Sequence, residues 1–331
     1  MTIRDFMLLA GLKNSGPTMG RSPAWTTAGV VAAVLLALSG GGSQVAYAHL
    51  NAADLSRPFT KPLGAGAQLV YVSDGRNNLI DIFDRNGRQV GEITTGLNAP
   101  AGLFVDASHN LWVANGGANN VLVFPRGSTA PTQTLTDPNQ PNDVTMCPDG
   151  TVYVADISGA GGIGVYPPGS TKPTRRLEAE VSDVDGFEYF VTCDTSGNVF
   201  ATGLLGVSPA VGATGWTGGK QSGYHLLTWN AAAGIKATSS GTLLIVGSID
   251  NGSEPGITEF TEKGKPTGNA IGTGSAYWDD IALSRNGKFV FGAVPSLAVC
   301  DSSAFPSGAA GRQYASSNLT QPEGVAVDPG S

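Results

Sequence analysis

The chain is 331 residues long, with 47 glycines, 14% charged residues and a formal net charge of -7. The charge is uneven, because residues past 48 hold 16 basic and 25 acidic side chains and so carry -9. An acidic body without clustered Lys or Arg argues against nucleic acid or an anionic membrane surface as partner.

Export signals come first along the chain. Ala28 to Leu38 is an apolar, small-residue stretch preceded by Arg21 and followed by the small-x-small site Ala46-Tyr47-Ala48. That reads as a bacterial-type signal peptide over residues 1–48, starting at Met1 or Met19, and the apolar stretch is short for a span of about 20 residues. Leu38-Ser39-Gly40 has the form that precedes a lipid-modified cysteine, but Gly41 follows it and offers no thiol to acylate. The expected product is a soluble, monomeric, periplasmic or extracellular protein with no stable membrane span; an uncleaved membrane anchor is the alternative. Residues 49–67, rich in Pro, Gly and Ala, read as a linker packing along the body.

From residue 68 onward the chain repeats itself. Tyr71-Val72-Ser73-Asp74, Trp112-Val113-Ala114-Asn115 and Tyr153-Val154-Ala155-Asp156 are spaced 41 residues apart. The second and third are preceded by Pro100-Ala101-Gly102-Leu103-Phe104-Val105 and Pro141-Asn142-Asp143-Val144-Thr145-Met146; the counterpart missing before the first stands at the C-terminus, as Pro322-Glu323-Gly324-Val325-Ala326-Val327. A repeat of roughly 40 residues with four short strands is a propeller blade, and a last strand completing the first blade locks the ring. The expectation is an all-β, six-bladed β-propeller over 68–331, closed by pairing Val325–Val327 with Leu69–Ser73.

Blades 2 and 3 share a near-copied outer hairpin, Phe124-Pro125-Arg126-Gly127-Ser128-Thr129 and Tyr166-Pro167-Pro168-Gly169-Ser170-Thr171, whose prolines fit a turn or an outer edge. In blade 4 the strands Phe187–Cys193 and Val199–Thr202 lead into a Gly-rich insertion, 206–223, with Tyr224–Trp229 expected as third strand. Trp216 inside that insertion reads as an exposed loop aromatic and hence a ligand-binding candidate. Blade 5 is read as Gly234–Thr238, Leu243–Val246, Ile257–Phe260 and Asn269–Gly272, and blade 6 as Asp280–Leu283, Phe289–Ala293, Leu297–Cys300 and Gln313–Ser316. The repeated aromatics Tyr71, Trp112, Tyr153 and Phe200 read as packing between blades. Cys147 and Cys193 end neighbouring inner strands, as a disulfide or as two buried thiols.

The residues Tyr71-Val72-Ser73-Asp74 with Asn77-Asn78-Leu79-Ile80, and Asn115 with Asn119-Asn120-Val121, resemble the NHL repeat. That resemblance implies a propeller whose Asp or Asn and following Asn pair cap the loop between second and third strands. It leaves function open, since such scaffolds serve enzymes and binding proteins alike.

Three scattered histidines (His49, His109 and His225) without a Gly-x-Ser-x-Gly elbow speak against triad hydrolysis and zinc. The chemical candidates are the residues before the Gly or Asp that opens each inner strand: Glu323, Ala101, Asn142, Asp185, Ala233 and Asp279 for blades 1 to 6. A propeller gathers these at one channel mouth, where Glu323, Asn142, Asp185 and Asp279 make an all-oxygen set suited to Ca2+ or Mg2+. Turn capping by the same side chains is the plainer alternative. The set is similar to the metal ring of the gluconolactonase-like (senescence marker) family. Glu323-Gly324 and Asn142-Asp143 match in kind and blade, while Asp185 replaces an Asn and Ala233 replaces the Asp that serves as ligand and catalytic base. The expected function is a binding or scaffold module for a protein, carbohydrate or small molecule. A metal-dependent hydrolase or lactonase is the alternative, and a structural surface protein a third class; Ala233, unable to ligate or accept a proton, favours the first.

Overall fold

A computed structural model describes residues 66–158, 161–178, 180–181, 184–185, 187–204, 211–221, 232–249, 254–274 and 276–330. The expected signal peptide, most of the linker, His49, His225 and the expected strand Tyr224–Trp229 lie outside these residues. Aliphatic runs bounded by Gly, Asn and Asp turns form the strands. They are β1 (Leu69–Asp74), β2 (Leu79–Asp84) and β3 (Gln89–Ile93); β4 (Pro100–Val105), β5 (Leu111–Asn115), β6 (Asn120–Phe124) and β7 (Gln133–Thr136); and β8 (Pro141–Met146), β9 (Val152–Asp156), β10 (Ile163–Tyr166) and β11 (Arg175–Leu177). A short ladder of β12 (Glu180–Val181) and β13 (Val184–Asp185) precedes β14 (Phe187–Cys193), β15 (Val199–Leu204), β16 (Val211–Thr217) and β17 (Lys220–Gln221). Then come β18 (Ala232–Ala237), β19 (Thr242–Ile249), β20 (Glu254–Thr261) and β21 (Pro266–Gly272), β22 (Ile281–Leu283), β23 (Phe289–Val294) and β24 (Val299–Ala304), and last β25 (Pro322–Asp328).

These make six antiparallel blades, five of four strands and one of three. The sixth is widened by single bridges, Cys300 to Tyr314 and Ser303 to Ala310, where a fourth strand Gln313–Ser316 was expected. The expected closure is present: β25 is the inner strand of blade 1, with Leu69 opposite Asp328 and Val72 opposite Val325. Blade 2 fastens that strand. The Asp328 carboxylate is fully buried, His109 Nδ1 lies 2.7 Å from its Oδ1, and Arg126 pairs with its Oδ2. Arg126 also donates to the Ala67 carbonyl, so one side chain holds both ends of the first blade.

The blades pack through their faces. Tyr71 joins blade 1 to Leu103, Leu111 and Val113 of blade 2; Trp112 packs with Val144 and Val154 of blade 3; Tyr153 packs with Val191 and Val199 of blade 4. In blades 1 and 2 the residue closing the second strand holds the incoming crossover. Asp74 Oδ2 accepts from the amides of Thr320 (2.5 Å) and Gln321 (2.9 Å), while Oδ1 accepts from Asn77 N at 2.8 Å. Asn115 Oδ1 accepts from Asn98 N at 2.6 Å. Asn78 and Asn119 occupy left-handed backbone, φ 55° and 51°, a region Asn tolerates better than most residues.

Two expectations for blade 4 are corrected. The segment taken for a loop contains its third strand, β16, and Trp216 pairs with Val199. Trp216 is 2% exposed, packed with Tyr153, Ile163, Leu177 and Ala201. It is a core residue and not an exposed binding aromatic. Gly212 and Gly215, part of the composition that suggested a loop, lie within the strand opposite Gly203 and Phe200.

Cys147 and Cys193 are joined, with Cα atoms 5.3 Å apart. They do not occupy equivalent positions. Met146 opposite Val152 and Cys193 opposite Val199 end their ladders, so Cys147 stands one residue further along its strand. That offset brings the thiols within bonding range. Cys300 is free and buried.

Candidate functional site

The mouth at the start of the inner strands is built by a repeated irregularity. Each of five inner strands carries one extra residue near its first turn, relative to its partner strand. The break falls at Glu323 between Pro322 and Gly324, at Asn142 between Pro141 and Asp143, and at Tyr189 between Glu188 and Phe190. It falls within Ala101-Gly102 on β4 and Ala233-Gly234 on β18. A bulge bends its strand and re-aims the extra side chain, and is over-represented beside functional sites. In blade 6 the matching residue is Asp279, whose N–H donates to Ala293 and whose carbonyl accepts from Gly234 N.

The ring of like positions is therefore Glu323, Ala101, Asn142, Tyr189, Ala233 and Asp279. Tyr189 takes the place expected for Asp185. The backbone of Asp185 lies on β13, paired with Glu180, four residues before the bulge. The reason is an extra β12–β13 ladder spliced into the crossover to blade 4. The Asp185-Gly186 dipeptide imitates the strand openings elsewhere. Matching Val191-Thr192 to Val144-Thr145 would have found Tyr189.

Asp279 and Glu323 form the acidic side of the mouth. Burial pushes the Asp279 carboxyl up to about 7, with further push from the Glu323 and Asp280 charges. The Glu323 carboxylate accepts from Gln321 Nε2 at 3.2 Å and rests against Gly75, where a Cβ would come within 2.6 Å of Oε2. Beside them the Tyr277 phenol is raised, chiefly by burial and then by Asp279. Opposite, the Asn142 amide donates to the Tyr189 carbonyl at 2.7 Å, and burial pushes the Tyr189 phenol up to about 12.

This donor set does not fit a resident Ca2+ or Mg2+. Two of the six positions are alanine and one is a phenol, so carboxylate or carboxamide oxygens come from Glu323, Asn142 and Asp279 alone. Among the described residues no three His, Cys, Asp or Glu side chains are grouped so as to hold a metal. Calcium sites need six to eight oxygens.

Sequence reasoning missed the layer beneath. Asp143 and Asp280 follow Asn142 and Asp279 and are fully buried. Asp143 accepts from Val144 N (2.8 Å) and Val191 N (3.0 Å), and Asp280 from Ile281 N (2.7 Å) and Val325 N (3.1 Å). Each carboxylate thus ties its blade to the next, 3 to 4 and 6 to 1. Lys236 of β18 places Nζ 3.8 Å from Asp143 and 3.6 Å from Asp280. Burial, the largest influence on Lys236, pushes its pKa down, yet the two carboxylates together carry it up, so the ammonium stays charged. Burial drives both carboxyls up against the opposing pull of Lys236. The signal was available in the recurring Asp after the turn and a Lys within an otherwise apolar inner strand.

No protein-family model matches the chain, and no curated protein matches it. Solved structures do. Hydrazine synthase of Kuenenia stuttgartiensis is 14% identical with a TM-score of 0.61, over 83% of this chain and 91% of the other. A chain of a nidogen/laminin complex is 12% identical with a TM-score of 0.62, over 80% and 100%. Regucalcin of Agrobacterium tumefaciens, described as a calcium-binding protein, is 16% identical with a TM-score of 0.53, over 70% and 78%. At such identities the likeness establishes the β-propeller fold alone. Among the described residues no helix is long and apolar enough to cross a membrane.

Proposed function

We propose that this chain is an exported, monomeric β-propeller that binds a partner at the bulged channel mouth, as a recognition or scaffold module of NHL-like character. The observation carrying this reading is the mixed ring of Glu323, Ala101, Asn142, Tyr189, Ala233 and Asp279. Bulges that re-aim side chains into a mouth suit recognition, and a phenol, an amide and two carboxylates offer varied polar contacts. Alanine where the gluconolactonase-like family has its catalytic Asp weakens the lactonase reading. That a propeller occurs in a nidogen/laminin complex accords with a protein partner. The Cys147–Cys193 bond supports export, because such bonds persist in oxidising compartments.

Photo-crosslinkers placed in the native host test the docking face. Ala118 and Leu297 are exposed on loops at the mouth end, whereas Lys172 is exposed on a hairpin at the opposite end. A shared adduct from Ala118 and Leu297 and none from Lys172 is expected; adducts from Lys172 alone, or none from the mouth, contradict the reading. Mass spectrometry of the host protein tests export: a chain starting near His49 is expected, and a membrane-retained chain carrying residues 28–40 contradicts it.

A further inference from the structure

We propose that the Lys236 ammonium is a covalently tethered cation that fills the centre of the channel, performing inside this ring the charge-neutralising task that a bound ion performs elsewhere. The inference is independent of what docks at the mouth. It rests on the placement of three side chains. Asp143 and Asp280 stand at like positions on blades 3 and 6, which face each other across a six-membered ring. The corresponding positions on blades 1, 2 and 5 are Gly324, Gly102 and Gly234, tightly enclosed: a Cβ on Gly102 would meet Asp143 Oδ1 at 2.2 Å, and one on Gly234 would meet Asp280 Cα at 2.8 Å. Side chains at these glycines have no room, so the Lys236 stem, two residues past Gly234, is the one that reaches between the carboxylates.

Each oxygen of both carboxylates also accepts one backbone amide, from its own or the following blade. Neither Asp can turn away from the channel without breaking an inter-blade contact. Two buried carboxyls fixed in this manner stay ionised only with a cation between them. Lys236 supplies it at no cost in binding entropy, and its side chain is 16% exposed.

Lys236→Ala deletes a propylammonium-sized group, and small alkylammonium ions provide the probe. The variant is expected to melt about 5–10 °C below the parent, the scale on which removing one partner of a buried ion pair acts in a domain of this size. Propylammonium chloride at about 100 mM is expected to recover a third or more of that loss by mass action. Propanol, and tetramethylammonium chloride at equal ionic strength, should recover none, and the parent should respond to none of the three. Should Lys236→Ala not fold unaided, the readout becomes refolding yield, expected to rise at least threefold in propylammonium over tetramethylammonium. A variant as stable as the parent overturns the proposal. So does a loss, in melting temperature or yield, that propylammonium relieves no better than its controls.

Discussion

Replacing both Cys147 and Cys193 by alanine removes the one covalent link between the inner strands of blades 3 and 4 among the described residues. The bond joins positions 46 residues apart. In the chain-entropy account, closing a loop of about that length in the unfolded chain is worth about 4 kcal/mol at 25 °C. Unfolding entropy near 2.1 cal/mol/K per residue gives about 0.55 kcal/mol/K for the roughly 265 residues of the propeller. The quotient is a fall in melting temperature of about 7 °C. Differential scanning calorimetry of the parent, the double variant and the parent in reductant measures it, and the last two should agree. Thiol titration in denaturant without reductant supplies an independent count: one reactive thiol, Cys300, is expected. Three thiols, or a melting temperature indifferent to reductant, would refute the reasoning.

Deleting residues 319–331 strips the inner strand from β1 and removes the Asp328 clasp, so the truncated chain should be insoluble or melt at least 10 °C lower; an unchanged melting temperature would sink the closure. Trp216→Ala should cost about 3–5 kcal/mol by chemical denaturation, the range for a fully packed aromatic, whereas a loop residue would cost next to nothing. Burial pushes both Asp81 and Asp279 up to about 7, so the folded chain holds protons that the unfolded chain releases near its ordinary carboxyl range. Stability from these groups is accordingly fully present below about pH 4 and declines as pH rises from there through about 7. Melting temperatures at pH 5.5 and 8 test the sign, and Asp81→Asn should flatten the difference; a steady rise toward pH 8 would contradict it.

The fold was legible because each level of the sequence repeats the same statement. Tyr71, Trp112 and Tyr153 fall at one spacing, each lies in an aliphatic second strand, and each is buried between blades. The displaced Pro322-Glu323-Gly324 run announced the closure. Blade 4 misled because its signals are local imitations. Gly212 and Gly215 resemble loop composition while pairing within a strand, and Asp185-Gly186 resembles a strand opening four residues ahead of the bulge at Tyr189. The Asp143–Lys236–Asp280 contact joins residues as much as 137 positions apart. No local pattern encodes a pairing across the ring, which depends on blade count and on the register of three separate inner strands.

The central claim, that the mouth recognises a partner and does not hydrolyse one, meets its most direct test in the rate at which purified protein opens simple sugar lactones in millimolar Ca2+ or Mg2+. The predicted rate equals that of buffer, with or without chelator, and is unchanged in Glu323→Gln and Asp279→Asn. Metal-dependent turnover abolished by either substitution would contradict the account and establish the mouth as a catalytic centre despite Ala233.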